Sequence, residues 1–138
     1  MDLIQHILTG PCRLFFLEGP SGSGKTVLLR RLPPEKTGFL SMEEYQAGLV
    51  DALRPGEEDA VGAFLAGLLA RYPGEVLCIE DADLALKGKV SSQVTFARQV
   101  QELARSRRVV VTGIELDLRC PELFTALDPA GYEYYALV

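Results

Sequence analysis

The residues with the clearest chemistry form one glycine-rich segment, GPSGSGKT, near the N-terminus. It matches the pattern G-x-x-x-x-G-K-[ST], and it lies between an apolar run of strand length and a run with helical periodicity. Glycines let such a loop curl so that successive N–H groups point at phosphate oxygens, and the following helix adds the partial positive charge of its N-terminus. The sequence therefore predicts a phosphate-binding loop formed by Gly19, Pro20, Ser21, Gly22, Ser23, Gly24, Lys25 and Thr26.

The last two residues of this loop carry the reactive groups. We expect the Lys25 ammonium to bind the β and γ phosphates of a nucleotide and the Thr26 hydroxyl to coordinate Mg²⁺, which neutralises the remaining phosphate charge. Two alternatives stay open at this point. The loop is a strand-to-helix turn that binds nothing, or it is a degenerate site that binds a nucleotide without hydrolysing it.

Acidic residues follow the apolar run 76–79. A carboxylate at the end of a strand beside the loop can hold the water shell of Mg²⁺, and a second one can deprotonate the attacking water. We assign the metal to Glu80 and the base to Asp81, although the usual order is Asp before Glu and Asp81 is one methylene shorter. The alternative is an acidic loop that caps the next segment. Asp83 is expected to be a helix cap or a solvated turn residue, with a direct role as a third alternative.

Thr112 ends another apolar run, 109–111. At that point its hydroxyl could reach the γ phosphate or the attacking water, and we count it as a candidate catalytic residue. The alternative is a β-branched strand residue whose hydroxyl bonds to the backbone.

The elements that position these residues alternate along the chain. Strand-like runs are predicted at 13–18, 38–40, 76–79, 109–113 and 132–137; helices are predicted over 25–32, 42–53 and 59–69, after a cap at Ser91 or Ser92, and over 121–127. Strands separated by helices need crossover connections, which give a mostly parallel sheet. We therefore predict an α/β fold with helices on both faces of a five-stranded sheet.

Composition excludes several classes of protein. The chain has 138 residues, enough for one domain over 1–138, and its formal net charge of −5 makes autonomous nucleic-acid binding an unfavourable interpretation. No apolar run is long enough to cross a bilayer, so we expect a cytoplasmic protein. The cysteines, Cys12, Cys78 and Cys120, are widely spaced and are interpreted as reduced packing residues. His6 is expected in a surface or half-buried position and is assigned no role.

Four segments, GPSGSGKT, FLSMEEYQAGLVDAL, VLCIEDADLAL and VVVTGIELDL, resemble the nucleotide-binding core of AAA+ ATPases, especially the branch of replication initiators and helicase loaders. The resemblance implies a three-layer P-loop NTPase with the sheet order 5-1-4-3-2. It also implies Mg²⁺ coordination by Glu80, the catalytic acid position at Asp81 and a sensor at Thr112.

The same family carries features that this sequence does not match. Its core is followed by a helical lid with a second sensor arginine, whereas this sequence stops at Val138 after the fifth strand, so we expect the core without the lid. The family places an arginine finger near the short helix before the fifth strand, yet residues 122–127 contain no arginine. Arg119 is the nearest candidate, and we expect it to be a solvated surface charge.

The function predicted from these residues is ATP binding with weak or partner-stimulated hydrolysis, in a switch that acts on an unidentified protein partner. A homo-oligomer is compatible with this prediction. A small P-loop kinase that phosphorylates a nucleotide or metabolite is one alternative. Its lid could use Arg105, Arg107 and Arg108, although these residues end a predicted helix and interaction with the helix dipole also explains them. A non-catalytic nucleotide-binding interaction module is the other alternative.

Overall fold

The computed structural model describes residues 2–20, 24–45, 47, 67, 71–72 and 74–137. The described strands are β1 (Leu14–Glu18), β2 (Thr37–Ser41), β3 (Val76–Glu80), β4 (Arg108–Gly113) and β5 (Glu133–Ala136). The labelled helices are α1 (Leu3–Thr9), α2 (Lys25–Leu29), α3 (Ala82–Leu86), α4 (Val90–Leu103), α5 (Leu116–Arg119) and α6 (Pro121–Ala126). A 3₁₀ turn covers Pro34–Lys36, and residues 42–45 are helical.

The five strands form one sheet in the order β2-β3-β4-β1-β5, and every pairing is parallel. This is the predicted order 5-1-4-3-2 viewed from the other edge, so the prediction of the fold is confirmed. In the register of the sheet, Phe16 lies opposite Val111 on one side and Tyr134 on the other. Because β4 pairs with both β1 and β3, the carboxyl ends of these three strands are neighbours.

Helices cover both faces of the sheet, as predicted. Side chains of successive strand residues point to opposite faces, and in β1 Leu14 and Phe16 join one buried cluster while Phe15 and Leu17 join another. The first cluster includes side chains of α3, α4, α5 and α6, and the second includes side chains of α1 and α2. The three central strands, β1, β3 and β4, are therefore almost entirely apolar because both of their faces are buried, whereas the edge strands β2 and β5 are partly exposed.

Two details of the helices differ from the prediction. Helix α4 begins at Val90 and its N-cap residue is Lys89, which makes no side-chain cap bond, so the predicted cap at Ser91 or Ser92 is wrong. Helices α3 and α5 were not predicted. With five and four residues they are too short to show helical periodicity. Gly88, at φ 74°, lies between α3 and α4, in agreement with the loop expected there.

The helix predicted to start at Met42 is confirmed over its described residues. Ser41 Oγ accepts a hydrogen bond from the Glu44 N–H over 3.1 Å, which is the serine half of the predicted capping box, and the Glu44 carboxylate accepts from the Ser41 hydroxyl over 3.1 Å. Met42 and Tyr45 are buried. The remainder of this helix and the predicted helix over 59–69 lie outside the described residues.

The cysteines and the histidine agree with their predicted environments. All three cysteines are free, and Cys78 and Cys120 are buried. Burial raises the pKa of the Cys78 thiol to about 12, so this thiol stays protonated at neutral pH. His6 is half-buried, with its Nε2 2.6 Å from Glu133 Oε2. Among the described residues, no helix has the length and apolar character needed to cross a membrane.

Arg108 fastens α1 to the sheet, a role that the sequence did not indicate. Its guanidinium donates hydrogen bonds to the carbonyls of Ile7 at 2.9 Å, Cys12 at 3.1 Å and Gly10 at 2.8 Å. Arg108 is the first residue of β4, so the prediction that it ends a helix is wrong. These bonds satisfy carbonyls at and beyond the last turn of α1, which have no partners within the helix.

We expect Arg108→Met to lower the free energy of unfolding by about 2 kcal/mol, because the carbonyls would lose a charged donor. Arg105→Met is the matched control. The Arg105 side chain is exposed and pairs with Glu102 over 3.4 Å, so its loss should change the free energy by less than about 0.5 kcal/mol. Urea unfolding of both variants measures the difference, and equal losses would show that Arg108 does not hold α1 in place.

Candidate functional site

The predicted phosphate-binding loop joins β1 to α2, as its sequence context requires. Its first residue donates a backbone bond to β4, from Gly19 N–H to the Gly113 carbonyl over 3.2 Å. Gly24, directly before α2, has φ 94°, a conformation that glycine adopts without steric cost. Ser21, Gly22 and Ser23 lie outside the described residues. The described ends of the loop therefore have the expected strand before them and the expected helix after them.

Lys25 lies against this loop. Its ammonium donates hydrogen bonds to the Gly19 carbonyl and, over 3.3 Å, to the Pro20 carbonyl. Thr26, the second residue of α2, is exposed. A cation and an accessible hydroxyl thus adjoin the loop, and both suit an anionic phosphate ligand with its metal ion.

The acidic pair lies at the carboxyl end of β3. Glu80 is the last residue of the strand, and Asp81 follows in the left-handed conformation with φ 62° and ψ 42°. Non-glycine residues seldom adopt this conformation, although Asp does so more readily than most. The turn leaves Asp81 exposed. Strained backbone of this kind is concentrated at functional sites, which makes Asp81 a good candidate for a functional side chain.

The environment of Glu80 suits a bound cation. Burial, followed by the negative charge of Asp81, raises the pKa of the Glu80 carboxyl, while the Arg30 guanidinium acts in the opposite direction. A divalent cation here would offset the crowding of the two carboxylates. The described residues contain no group of three or more His, Cys, Asp or Glu arranged to hold a metal. Mg²⁺ commonly takes one or two protein oxygens together with waters and phosphates.

Thr112 connects the carboxyl ends of β3 and β4. It is buried, one residue before the end of β4, and its Oγ1 accepts a hydrogen bond from the Asp81 N–H over 3.3 Å. This is the backbone contact foreseen as the alternative to a sensor role. A hydroxyl accepts and donates at once, however, so the same group can still donate to a phosphate oxygen or a water.

Asp83 and Arg119 form an ion pair that sequence reasoning missed. Asp83 is 1% exposed; its Oδ2 lies 2.8 Å from Arg119 Nη1, and its Oδ1 accepts the Ile114 N–H over 3.1 Å. The predictions of a cap or solvated turn residue at Asp83 and of a solvated charge at Arg119 are therefore wrong. The two residues are 36 positions apart, and only the pairing of β3 with β4 brings them together. The one feature of the sequence that could have indicated this ion pair is the occurrence of opposite charges soon after two strands that turn out to be neighbours.

The predicted residues that the structure describes lie at the carboxyl ends of three adjacent strands. The loop with Lys25 follows β1, Thr112 is in β4, and Glu80 and Asp81 lie at the end of β3. In open α/β sheets, ligands bind in the crevice outside these ends. The roles assigned to the individual side chains stay predictions.

Comparisons with known proteins identify the fold. No family model and no curated protein matches the chain. Solved structures do match. AMPPCP-bound DnaA from Aquifex aeolicus has a TM-score of 0.62 and 15% identity, covering 99% of this chain and 44% of its own. Domain III of the Thermotoga maritima replication initiation protein DnaA has a TM-score of 0.61 and 20% identity, covering 99% of this chain and 61% of its own.

A third structure, the Aeropyrum pernix ORC1 protein in complex with DNA, has a TM-score of 0.52 and 17% identity, covering 99% of this chain and 43% of its own. The chain thus spans less than two thirds of the length of each of these structures. Similarity at such low identity concerns the fold, and it covers nearly the whole chain. The chain has the fold of the AAA+ domains in these DnaA and ORC1 structures.

Proposed function

We propose that the chain binds ATP with Mg²⁺ at its phosphate-binding loop and hydrolyses it slowly, or faster when a partner stimulates it. The observation that carries this proposal is the clustering of the loop lysine, two carboxylates and a threonine hydroxyl at the ends of β1, β3 and β4. The similarity in fold to a DnaA described as AMPPCP-bound supports ATP as the nucleotide.

Binding uses the loop and the residues that flank it. Backbone N–H groups of the loop contact the phosphates, and Lys25 exchanges its two carbonyl acceptors for phosphate oxygens. Thr26 and Glu80 would hold Mg²⁺, one through its hydroxyl and the other through its carboxylate. When bound, the ion neutralises charge on the β and γ phosphates.

Hydrolysis requires a base beside the γ phosphate. Asp81 accepts a proton from the attacking water as the water oxygen bonds to the γ phosphorus and the bond to the bridging oxygen breaks, which gives ADP and phosphate. The left-handed backbone at Asp81 turns its carboxylate out of the strand and into solvent. The Thr112 hydroxyl donates a hydrogen bond to the γ phosphate or to the same water, and it also accepts the hydrogen bond from the Asp81 N–H.

A switch follows if a partner distinguishes the ATP form from the ADP form. A ligand shifts a conformational equilibrium only by its difference in affinity for the two states, and here that difference must come from contacts to the γ phosphate. We expect the partner to be a protein. Although the ORC1 structure is a complex with DNA, the net charge of −5 of this chain does not favour a polyanion.

Lys25→Ala should abolish ATP binding because the mutation removes the cation that meets the phosphates. For the unchanged chain, Mg²⁺-ATP at a hundred times its Kd should stabilise the fold by about 2.7 kcal/mol, seen as a rise in Tm, and the variant should show none of this rise. Lys36→Ala, at an exposed lysine just before β2, is the control and should keep the full rise. An equal rise in both variants would contradict binding at this loop.

Asp81→Asn should keep ATP affinity and lose hydrolysis. An amide cannot take the proton from water, so we expect kcat for phosphate release to fall by about 10²-fold to 10⁴-fold with Kd unchanged. Asp128→Asn is the control, because Asp128 lies in the exposed turn before β5 and its Oδ1 acceptor survives as the amide oxygen. Unaltered turnover in Asp81→Asn would exclude Asp81 as the base.

The two alternatives make different predictions in the same assay. A small P-loop kinase requires ADP formation to rise sharply with one small acceptor, which becomes phosphorylated. A screen of nucleotides and small alcohols without any stimulation would exclude the kinase.

A non-catalytic module requires a rise in Tm with ATP but no phosphate release under any condition.

A further inference from the structure

The Asp83 carboxylate bridges the two segments that follow β3 and β4. It belongs to α3, two residues after Asp81, yet both of its oxygens bond to the segment after β4. Oδ1 accepts the Ile114 N–H over 3.1 Å, and Oδ2 pairs with Arg119 Nη1 at 2.8 Å. The Asp83 side chain is 2% exposed and that of Arg119 is 29% exposed. Burying a carboxylate costs free energy unless its oxygens are hydrogen-bonded or paired, and here each oxygen has a donor.

Gly113 makes this bridge possible. A Cβ at this position would lie 2.8 Å from Asp83 Oδ1 and would also overlap the Leu116 side chain. Any other residue would push the carboxylate away from the end of β4. The absence of a side chain at Gly113 therefore allows the Asp83 carboxylate to accept the N–H of Ile114, two residues after Thr112.

The bridge also joins two strained turns. Asp81 at φ 62° and Glu115 at φ 45° are the non-glycine residues with positive φ in the described part of the chain. One lies just before Asp83 and the other just after Ile114, and the Glu115 carbonyl accepts the Arg119 N–H over 2.8 Å. Strained conformations persist only where surrounding contacts hold them, and the ion pair supplies contacts to both turns.

We infer that the ion pair of Asp83 and Arg119 is a positioning device that keeps Asp81 and Thr112 at a set separation. It acts through the backbone, since it holds the segment after β4 against the segment that carries Asp81. The effect on hydrolysis rests on the proposed function, in which both residues act on the γ phosphate and the attacking water. In this pair the Arg119 guanidinium contacts a carboxylate of its own chain.

Amide hydrogen exchange, resolved by NMR in the protein without nucleotide, tests the bridge independently of activity. Asp83→Asn should speed exchange at the amides of Ile114 and Asp81 by about tenfold or more. The amide oxygen can still accept the Ile114 N–H, but the amide nitrogen cannot accept from Arg119, and without the ion pair the hydrogen bonds of both amides open more often. The surface pair supplies the control: Glu102→Gln, which removes the partner of Arg105, should leave both amides unchanged. If exchange at Asp81 stays unaltered, the bridge does not reach the base and the inference is wrong.

Kinetics then test positioning against mere stability. Well below the Tm of each variant, Asp83→Asn should lower kcat for ATP hydrolysis by about tenfold to a hundredfold and leave the Kd of Mg²⁺-ATP within about twofold. Arg119→Met should do the same, and Arg119→Lys should recover part of the rate because it keeps a cation beside Asp83. These Arg119 variants carry the test if Asp83→Asn does not fold.

A double-mutant cycle with Thr112→Val identifies the route of the effect. If the ion pair acts by holding Asp81 and Thr112 together, Asp83→Asn should lower kcat much less in the Thr112→Val background than in the unchanged chain. Equal effects in both backgrounds would overturn the inference. An unchanged chain that binds ATP but never releases phosphate would overturn the proposed hydrolysis, while the exchange experiment would still judge the bridge.

Discussion

The candidate site depends on the parallel pairing of β4 with β1 on one side and β3 on the other. Parallel strands end at the same edge of a sheet, so this arrangement brings the loop after β1, the threonine in β4 and the acids after β3 to one edge. Two hydrogen bonds strengthen the arrangement, because the Gly19 N–H donates to the Gly113 carbonyl and the Asp81 N–H donates to the Thr112 hydroxyl. Without β4 between β1 and β3, nothing in the sheet would hold the phosphate-binding loop and the acidic pair in fixed relative positions.

The edge of the sheet tolerates conformations that its interior would not. The central strands β1, β3 and β4 are buried on both faces and allow little variation, whereas the turns after β3 and β4 include Asp81 and Glu115 with positive φ. Such turns cost free energy, of order 1–3 kcal/mol each. The buried ion pair of Asp83 and Arg119 lies between them and bonds to the segment after β4. Apolar packing therefore holds the strands of the sheet together, whereas polar contacts hold the turns at its carboxyl edge.

Fold and function are supported by different observations. Similarity to DnaA and ORC1 structures at 15–20% identity concerns the backbone, and a fold of this kind carries many activities. The proposal of ATP binding and hydrolysis is supported instead by the side chains of Lys25, Glu80, Asp81 and Thr112. Of these, Asp81 has the most distinctive environment, since it is exposed, strained and held through its own N–H.

The sequence by itself predicted the strands and the main candidate residues, whereas the order of the strands was implied by the resemblance to AAA+ ATPases. Apolar runs such as 76–79 and 109–111 are continuous because both faces of each strand are buried, and the glycine-rich loop has a local pattern that chemistry explains. These signals are local, or they follow from the alternation of strands and helices. The helix starting at Met42 was predictable for the same reason, since its capping box spans only four residues.

Only the tertiary structure decided which charges meet. Asp83 and Arg119 appeared to be surface residues because isolated charges usually are, and nothing local indicates that they lie 2.8 Å apart. The contacts of Arg108 with carbonyls near the end of α1 were hidden for the same reason, since they link residues about a hundred positions apart. Long-range polar contacts depend on strand register and on the direction of each turn, and these properties follow from the packing of the whole sheet rather than from any single segment.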